Sequence, residues 1–256
     1  MVIVDAGHGG TDPGSSSGDI IEKDYTLKIA NYMYNRFKDF SRRDSMKYQI
    51  PIGVSDFAEI RKNEYYYVDK TALIEELLKT SAVKVTLITR PRRFGKTIGM
   101  SMLSSFFDIR KDSRELFEGL HVAEDTSLCQ EWMNQWPTIF LTFKKVDGLN
   151  FDSAYEMLAS VMADLFNEHS YLLQDERISA YDREMLERIM NASASMTELK
   201  NSLSLMTRVM QIHYGKSVIL LLDEYDVPVA KANQNGYYDE MLDLMKGCLL
   251  YTSDAA

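Results

Sequence analysis

The chain has 256 residues, 45% of them hydrophobic and 26% charged. Those proportions exclude a mainly disordered chain and a coiled coil and fit one or two globular domains. Lys plus Arg number 29 against 38 Asp plus Glu, a net charge of −9, so the chain as a whole is not a polyanion binder. No apolar run approaches the ~18 residues of a membrane-spanning helix. Met1-Val2-Ile3-Val4-Asp5 lacks the basic and apolar regions of a signal peptide. Cys129 and Cys248 stand far apart, outside any C-x-x-C, which fits a reducing, cytoplasmic setting.

In chain order, Val2-Ile3-Val4 reads as a short strand. A loop rich in Gly and Ser follows from Gly7 to Gly18, including Ser15 to Ser17. Leu27, Ala30, Tyr34 and Phe37 recur at helical spacing, and Ser41-Arg42-Arg43-Asp44 breaks the pattern. Residues 1–43 are therefore expected to form a small β-loop-α fragment, too short to bury a core alone.

A long alternation of strand and helix patterns occupies residues 46–247. Leu73, Ile74, Leu77 and Leu78 mark a short amphipathic helix, and Val83 to Ile88 reads as a strand. Ile98, Met102, Leu103 and Phe106 mark the next helix, and Thr138 to Val146 a further strand. Helices fit Ala154, Leu158, Val161 and Leu165, then Leu199, Leu203, Met206 and Met210. Val218 to Leu222 is continuously apolar, the signature of a strand buried on both faces in a parallel sheet. This order predicts an α/β fold: an αβα sandwich with a central parallel sheet, the Val83–Ile88 and Val218–Leu222 strands both central and parallel. Residues 248–256 show no period and no cap and are expected to be unstructured.

Arg90-Pro91-Arg92-Arg93-Phe94-Gly95-Lys96-Thr97 follows a predicted strand and opens a predicted helix, the context of a phosphate-binding P-loop, or Walker A motif. Gly95 allows backbone to approach a phosphate. Lys96 places a point charge on the β- and γ-phosphates, and the Thr97 hydroxyl is a Mg²⁺ ligand type. Arg92, Arg93 and Phe94 complete the candidate nucleotide-binding segment. Arg90 stands where the general pattern has glycine. Gly215-Lys216-Ser217 repeats the core tripeptide but precedes a strand, so it is set aside. Four apolar residues leading into Asp223-Glu224 form a Walker B pattern. Asp223 is the candidate Mg²⁺ ligand and Glu224 the candidate general base. Both motifs end where ligands bind in open α/β sheets, at the carboxyl ends of strands.

The segments Ile50 to Phe57, Tyr65 to Thr71, Leu87 to Thr97, Leu116 to Leu120, Leu222 to Pro228 and Gly236 to Met241 resemble the AAA-ATPase-like family. Members are often linked to a C-terminal nuclease-like domain of the PD-(D/E)XK type. The family's own loop reads Arg-Pro-Arg-Arg-Phe-Gly-Lys-Thr, so Arg90 is normal there. The resemblance implies ATP and Mg²⁺ as ligands, ancestral ATP hydrolysis, and a nuclease-like domain or nucleic acid as partner of a longer parent. In that family the ATPase continues beyond the Gly-Tyr-Tyr segment, so the domain is expected to be incomplete here. A non-catalytic nucleotide-binding module is one alternative, and a zinc-dependent peptidoglycan amidase carried by the N-terminal motif, taken up next, is the other.

Val2 to Gly10, Asp12-Pro13-Gly14 and Glu22-Lys23-Asp24 resemble the start of the zinc-dependent N-acetylmuramoyl-L-alanine amidases. The resemblance makes His8 and Glu22 vestigial zinc ligands. A catalytic zinc needs a third protein ligand, and His121, His169 and His213 lie outside any matching context. Cys248 to Ala256 resembles a translated sequencing adapter. The whole reads as a chimera of an amidase start, an ATPase-like domain and an artefactual tail, with a domain fusion as the other account.

Overall fold

The computed structural model describes residues 16–17, 20–21, 49–79, 85–88 and 95–250. They fall in two compact units. One holds 16–17, 20–21, 49–52 and Glu64–Tyr66; the other holds 53–63 and the described residues from Tyr67 onward.

In the first unit, β1 (Ser16–Ser17) pairs antiparallel with β2 (Ile20–Ile21). The serines expected to lie in a loop thus carry a ladder, the two intervening residues being Gly18 and Asp19. The Tyr66 N–H donates to the Gln49 carbonyl at 2.9 Å. The Val2–Val4 strand and the Leu27–Phe37 helix lie outside the described residues.

The second unit opens with α1 (Phe57–Lys62) and α2 (Ala72–Lys79). The Asp56 carboxylate caps α1 by accepting from Glu59 N–H at 2.7 Å. Next come α3 (Lys96–Phe107), α4 (Arg114–Phe117), a 3₁₀ turn at His121–Glu124 and α5 (Thr126–Trp132). Strand β3 (Thr138–Thr142) leads into α6 (Phe151–Glu168), α7 (Ala180–Met190), α8 (Met196–Lys200) and α9 (Ser202–Tyr214). Strand β4 (Ile219–Asp223), α10 (Val227–Asn235) and α11 (Tyr238–Leu250) complete the unit.

β3 and β4 are parallel, in register from Thr138 with Ile219 to Thr142 with Asp223. Side chains alternate across a strand, so each face of this pair has its own partners. Ile139, Leu141, Leu220 and Leu222 join a core built by α6 to α9 and α11. Phe140, Ile219 and Leu221 join a second core with Met102, Leu103, Phe106 and Phe107 of α3. A parallel pair covered by helices on both faces is the α/β arrangement, which explains why Val218 to Leu222 shows no polar alternation.

The sheet differs from expectation in its membership. β4 pairs with β3, and of the other expected strand Val83 and Lys84 lie outside the described residues. Among the described residues, 85–88 carry no ladder, and Val85 and Leu87 are exposed. A β-rich pattern becomes a strand only when an edge accepts its hydrogen bonds. The Thr138–Val146 candidate ends at Thr142, because Val146 N–H turns back to the Phe143 carbonyl at 2.9 Å. Cys248 to Leu250, expected to begin an irregular tail, are the last turn of α11, with Cys248 buried. Residues 251–256 lie outside the described residues.

Candidate functional site

Helix α3 starts at Lys96 because Gly95 caps it in the left-handed region, φ 75° and ψ 33°, a conformation that disfavours side chains. Gly95 itself offers no side chain to cap that end. A helix start carries unpaired N–H groups and the positive pole of the helix dipole. Gly95, Lys96 and Thr97 are half-buried there. Arg92, Arg93 and Phe94, the rest of the candidate loop, lie outside the described residues.

The far end of α3 is pinned to the beginning of β3. Trp136 N–H donates to the Phe107 carbonyl at 3.0 Å, and Ile109 N–H donates to the Trp136 carbonyl at 2.9 Å. The Asn134 amide donates to the carbonyls of Ser105 and Asp108, each at 3.0 Å. Trp136 stands two residues before β3. The C-terminus of the helix therefore lies beside the start of β3. The helix's twelve residues span about 18 Å. A five-residue strand spans about 17 Å, close to the length of the helix.

Asp223 ends β4. It alternates with Ile219 and Leu221, which puts it on the sheet face that α3 covers. It is 4% exposed, and its Oδ2 is buried with no hydrogen-bond partner. Its backbone carbonyl continues the ladder by accepting from Phe143 N–H at 3.0 Å. Buried carboxylate oxygens are normally satisfied, so an orphan at a strand's carboxyl end makes Asp223 a candidate ligand. Glu224 follows in the left-handed region at φ 54°, uncommon for a residue with a side chain. Val227 N–H closes the turn onto the Glu224 carbonyl at 3.1 Å. The chain thus turns sharply after Asp223, and the strained position carries the acid that the sequence singles out.

The second copy of the tripeptide, Gly215-Lys216-Ser217, is a helix end. Gly215 caps the C-terminus of α9 at φ 65°. The Lys216 ammonium donates to the Gln135 carbonyl at 2.9 Å and lies 5.4 Å over the Trp136 ring.

One element beside the site carries no motif that spacing rules would find. Asp69 Oδ1 accepts from the Thr71 N–H and hydroxyl at 2.8 and 2.7 Å, and Oδ2 accepts from His121 N–H at 2.7 Å. Burial pulls the Asp69 carboxyl upward, but those hydrogen bonds outweigh it and hold the group below its usual value. Burial pushes the neighbouring Tyr67 phenol up to about 12. The Tyr67 hydroxyl donates to Met102 of α3 at 3.3 Å, tying this segment to the helix. Its contribution becomes visible only in three dimensions.

His8 and Glu22 lie outside the described residues. Among the described residues, no group of three or more His, Cys, Asp and Glu side chains is arranged to hold a metal. Nor is any described helix long and apolar enough to cross a membrane.

The family described as predicted AAA-ATPase matches residues 51–253. The chain belongs to the predicted AAA-ATPase family. Residues 2–46 match the N-acetylmuramoyl-L-alanine amidase family, so successive stretches are similar to two unrelated families. An uncharacterized protein in the vnfD 5′ region of Azotobacter chroococcum mcd 1 is 27% identical over 184 residues. The match covers 71% of this chain and 30% of the relative, so the chain spans under a third of that protein's length. No solved structure matches. Membership of an ATPase-like family supports nucleotide binding by the AAA-ATPase-like region, and nucleotides of this kind usually come with Mg²⁺.

Proposed function

We propose that residues 46–247 form a P-loop domain that binds ATP with Mg²⁺ at the edge shared by α3 and β4. The observation that carries the reading is a pairing of opposite features. In this reading the helix start behind left-handed Gly95 faces Asp223, whose buried Oδ2 has no hydrogen-bond partner among the described residues. The first suits an anion and the second a cation, the two charges of a metal–nucleotide complex.

In this reading the N–H groups opening α3 and the Lys96 ammonium hold the phosphates. Arg92, Arg93 and Phe94 extend the binding segment. The Thr97 hydroxyl and Asp223 carboxylate are oxygen donors of the kind Mg²⁺ takes, and they would hold it. When bound, Mg²⁺ neutralises charge on the phosphates. Glu224, one residue past Asp223, would accept a proton from a water aimed at the terminal phosphate. It occupies the turn just after β4, at φ 54°. Efficient turnover also needs positive groups on the transferring phosphoryl, worth about 10³–10⁵-fold where an arginine finger supplies them. In a longer parent, a nuclease-like domain acting on nucleic acid would draw on the ATPase. A cytoplasmic setting fits that partner.

Calorimetric titration with ATP–Mg²⁺ tests the reading. The parent chain should bind, and Lys96→Ala should lose at least tenfold in affinity, as removal of a charge-assisted contact does. Equal binding by both chains would reduce the Gly95-Lys96-Thr97 segment to an ordinary helix start.

A further inference from the structure

We propose that Lys144, on the turn that follows β3, contacts the terminal phosphate of the bound nucleotide and lets the site tell a triphosphate from a diphosphate. The inference deepens the nucleotide reading above and rests on it.

The turn is anchored on both sides of its tip. Phe143 and Val146 are fully buried and belong to the core that α6 to α9 and α11 build. Val146 N–H closes the turn onto the Phe143 carbonyl at 2.9 Å, which leaves Lys144 and Lys145 exposed at the tip. Phe143 N–H donates to the Asp223 carbonyl at 3.0 Å, and Thr142 stands opposite Asp223 in the ladder. Thr142 alternates with Phe140, so its side chain shares the sheet face of Asp223, the one that α3 covers. Lys144 N–H donates to the Thr142 hydroxyl at 3.4 Å, which holds the Lys144 backbone toward that face. Lys144 thus stands about 7 Å of chain from the residue paired with Asp223.

The charges at this end of the sheet are kept apart. Asp223 ends β4, and Glu224 and Asp226 lie just beyond it. Asp147, the acid of the loop after β3, pairs with Lys231 of α10 at 2.9 Å. Among the described residues, neither Lys144 nor Lys145 forms an ion pair. In the proposed reading Asp223 holds Mg²⁺, and Mg²⁺ bridges the β- and γ-phosphates. The terminal phosphate then lies next to Asp223, at the edge from which the turn projects. A lysine carries its charge on a flexible four-carbon stem, so Lys144 can meet that phosphate without movement of its fixed backbone. Lys145 has the same charge and exposure but lies one residue further from Thr142. ADP lacks the third phosphate, so the contact exists with ATP alone.

The test uses the full chain. Parent, Lys144→Met, Lys144→Arg, Lys145→Met and Lys96→Ala are titrated with ATP–Mg²⁺ and with ADP–Mg²⁺. In parallel, acetylation of Lys144 and Lys145 in the unaltered chain is followed by tandem mass spectrometry with each nucleotide. Lys144→Met should weaken ATP about tenfold, the usual scale for a lost hydrogen bond to a charged group, and leave ADP unchanged. Lys144→Arg should keep most of the ATP affinity. Lys145→Met should weaken the two nucleotides slightly and alike, and Lys96→Ala should weaken both strongly. ATP, but not ADP, should slow acetylation of Lys144 more than that of Lys145, a readout independent of any folding defect in a variant. ATP binding that depends on Lys96 but is equally affected by Lys144→Met and Lys145→Met, or by neither, overturns this inference alone. A parent that binds neither nucleotide overturns the nucleotide reading, and this inference with it.

Discussion

Gly95→Ala separates the two demands placed on that glycine, and Gly215→Ala is its internal control. Both residues sit in the left-handed region, at φ 75° and 65°. Gly95 precedes a helix and Gly215 ends one. An L side chain in that region costs about 1–2 kcal/mol. Alanine recovers roughly 0.4–1 kcal/mol by restricting the unfolded chain, leaving a net loss of about 1 kcal/mol at either position. For a folded unit of this size that lowers Tm by about 2–4 °C, measurable by circular dichroism. The surroundings differ. A Cβ at Gly215 meets nothing within 4 Å, whereas at Gly95 it meets Lys70 Nζ at 2.7 Å. The lysine end is flexible and can step aside, so the clash adds little to the stability loss. It does occupy the face where the phosphates are to seat. The two variants should therefore melt alike, while only Gly95→Ala loses ATP affinity, by at least about tenfold. Equal affinity in both variants would show that no phosphate approaches the Gly95 backbone, and the site as drawn would be wrong.

Three further outcomes are expected. Asp223→Asn should abolish the Mg²⁺ dependence of ATP binding without lowering thermal stability, since the buried Oδ2 it alters has no hydrogen-bond partner among the described residues; titrations with and without Mg²⁺ and a melting curve check both halves. Glu224→Gln should suppress any hydrolysis while sparing binding, and Glu224→Asn should do the same while raising stability by up to about 1 kcal/mol, because asparagine tolerates φ 54° better; phosphate release and urea unfolding are the assays. The third concerns His169, whose ring is held neutral by burial, helped by the nearby Arg110 charge, with its pKa lowered from 6.5 to about 4. The unfolded chain then binds the extra proton first. Stability is full above about pH 6.5 and falls by about 1.4 kcal/mol per unit as the pH drops toward 4. Urea midpoints should show that decline in the parent and a flatter one in His169→Phe; parallel slopes would place His169 in contact with solvent.

What the sequence reveals depends on how local the cause is. Ala154, Leu158, Val161 and Leu165 share one face at helical spacing, and they fall within α6. The Leu199–Met210 periodicity is also real, but two helices share it. Ser195 and Glu198 build a capping box that starts α8, and Asn201 separates α8 from α9. Helix α7 was hidden because Asp182, Arg183, Glu184, Glu187 and Arg188 dilute its apolar stripe; its visible signal was Ser179, which caps Asp182 N–H at 3.1 Å. Val218–Leu222 could be read because burial on both faces leaves a compositional mark, yet its partner could not, since pairing depends on what the rest of the chain brings alongside. In the site, Gly95, Lys96, Asp223 and Glu224 follow from spacing around strands and helices. Lys144 does not, because the pairing that brings its turn to Asp223 joins segments about 80 residues apart.

The register of β3 with β4 also dictates an order of events during folding. Partners in this ladder stand about 80 residues apart, separated by four helices that pack chiefly on one another. Local helical contacts form early, and distant parallel strands meet late, because the chain between them must first be closed into a loop. The edge that carries Lys96 is made long before the strand carrying Asp223 leaves the ribosome. On the reading proposed above, the half that would hold the phosphates can exist in a partly folded chain; the half that would hold the metal cannot. A metal–nucleotide complex that needs both would recognise only the finished domain, and by mass action would favour it over every state in which the late strand has not yet docked.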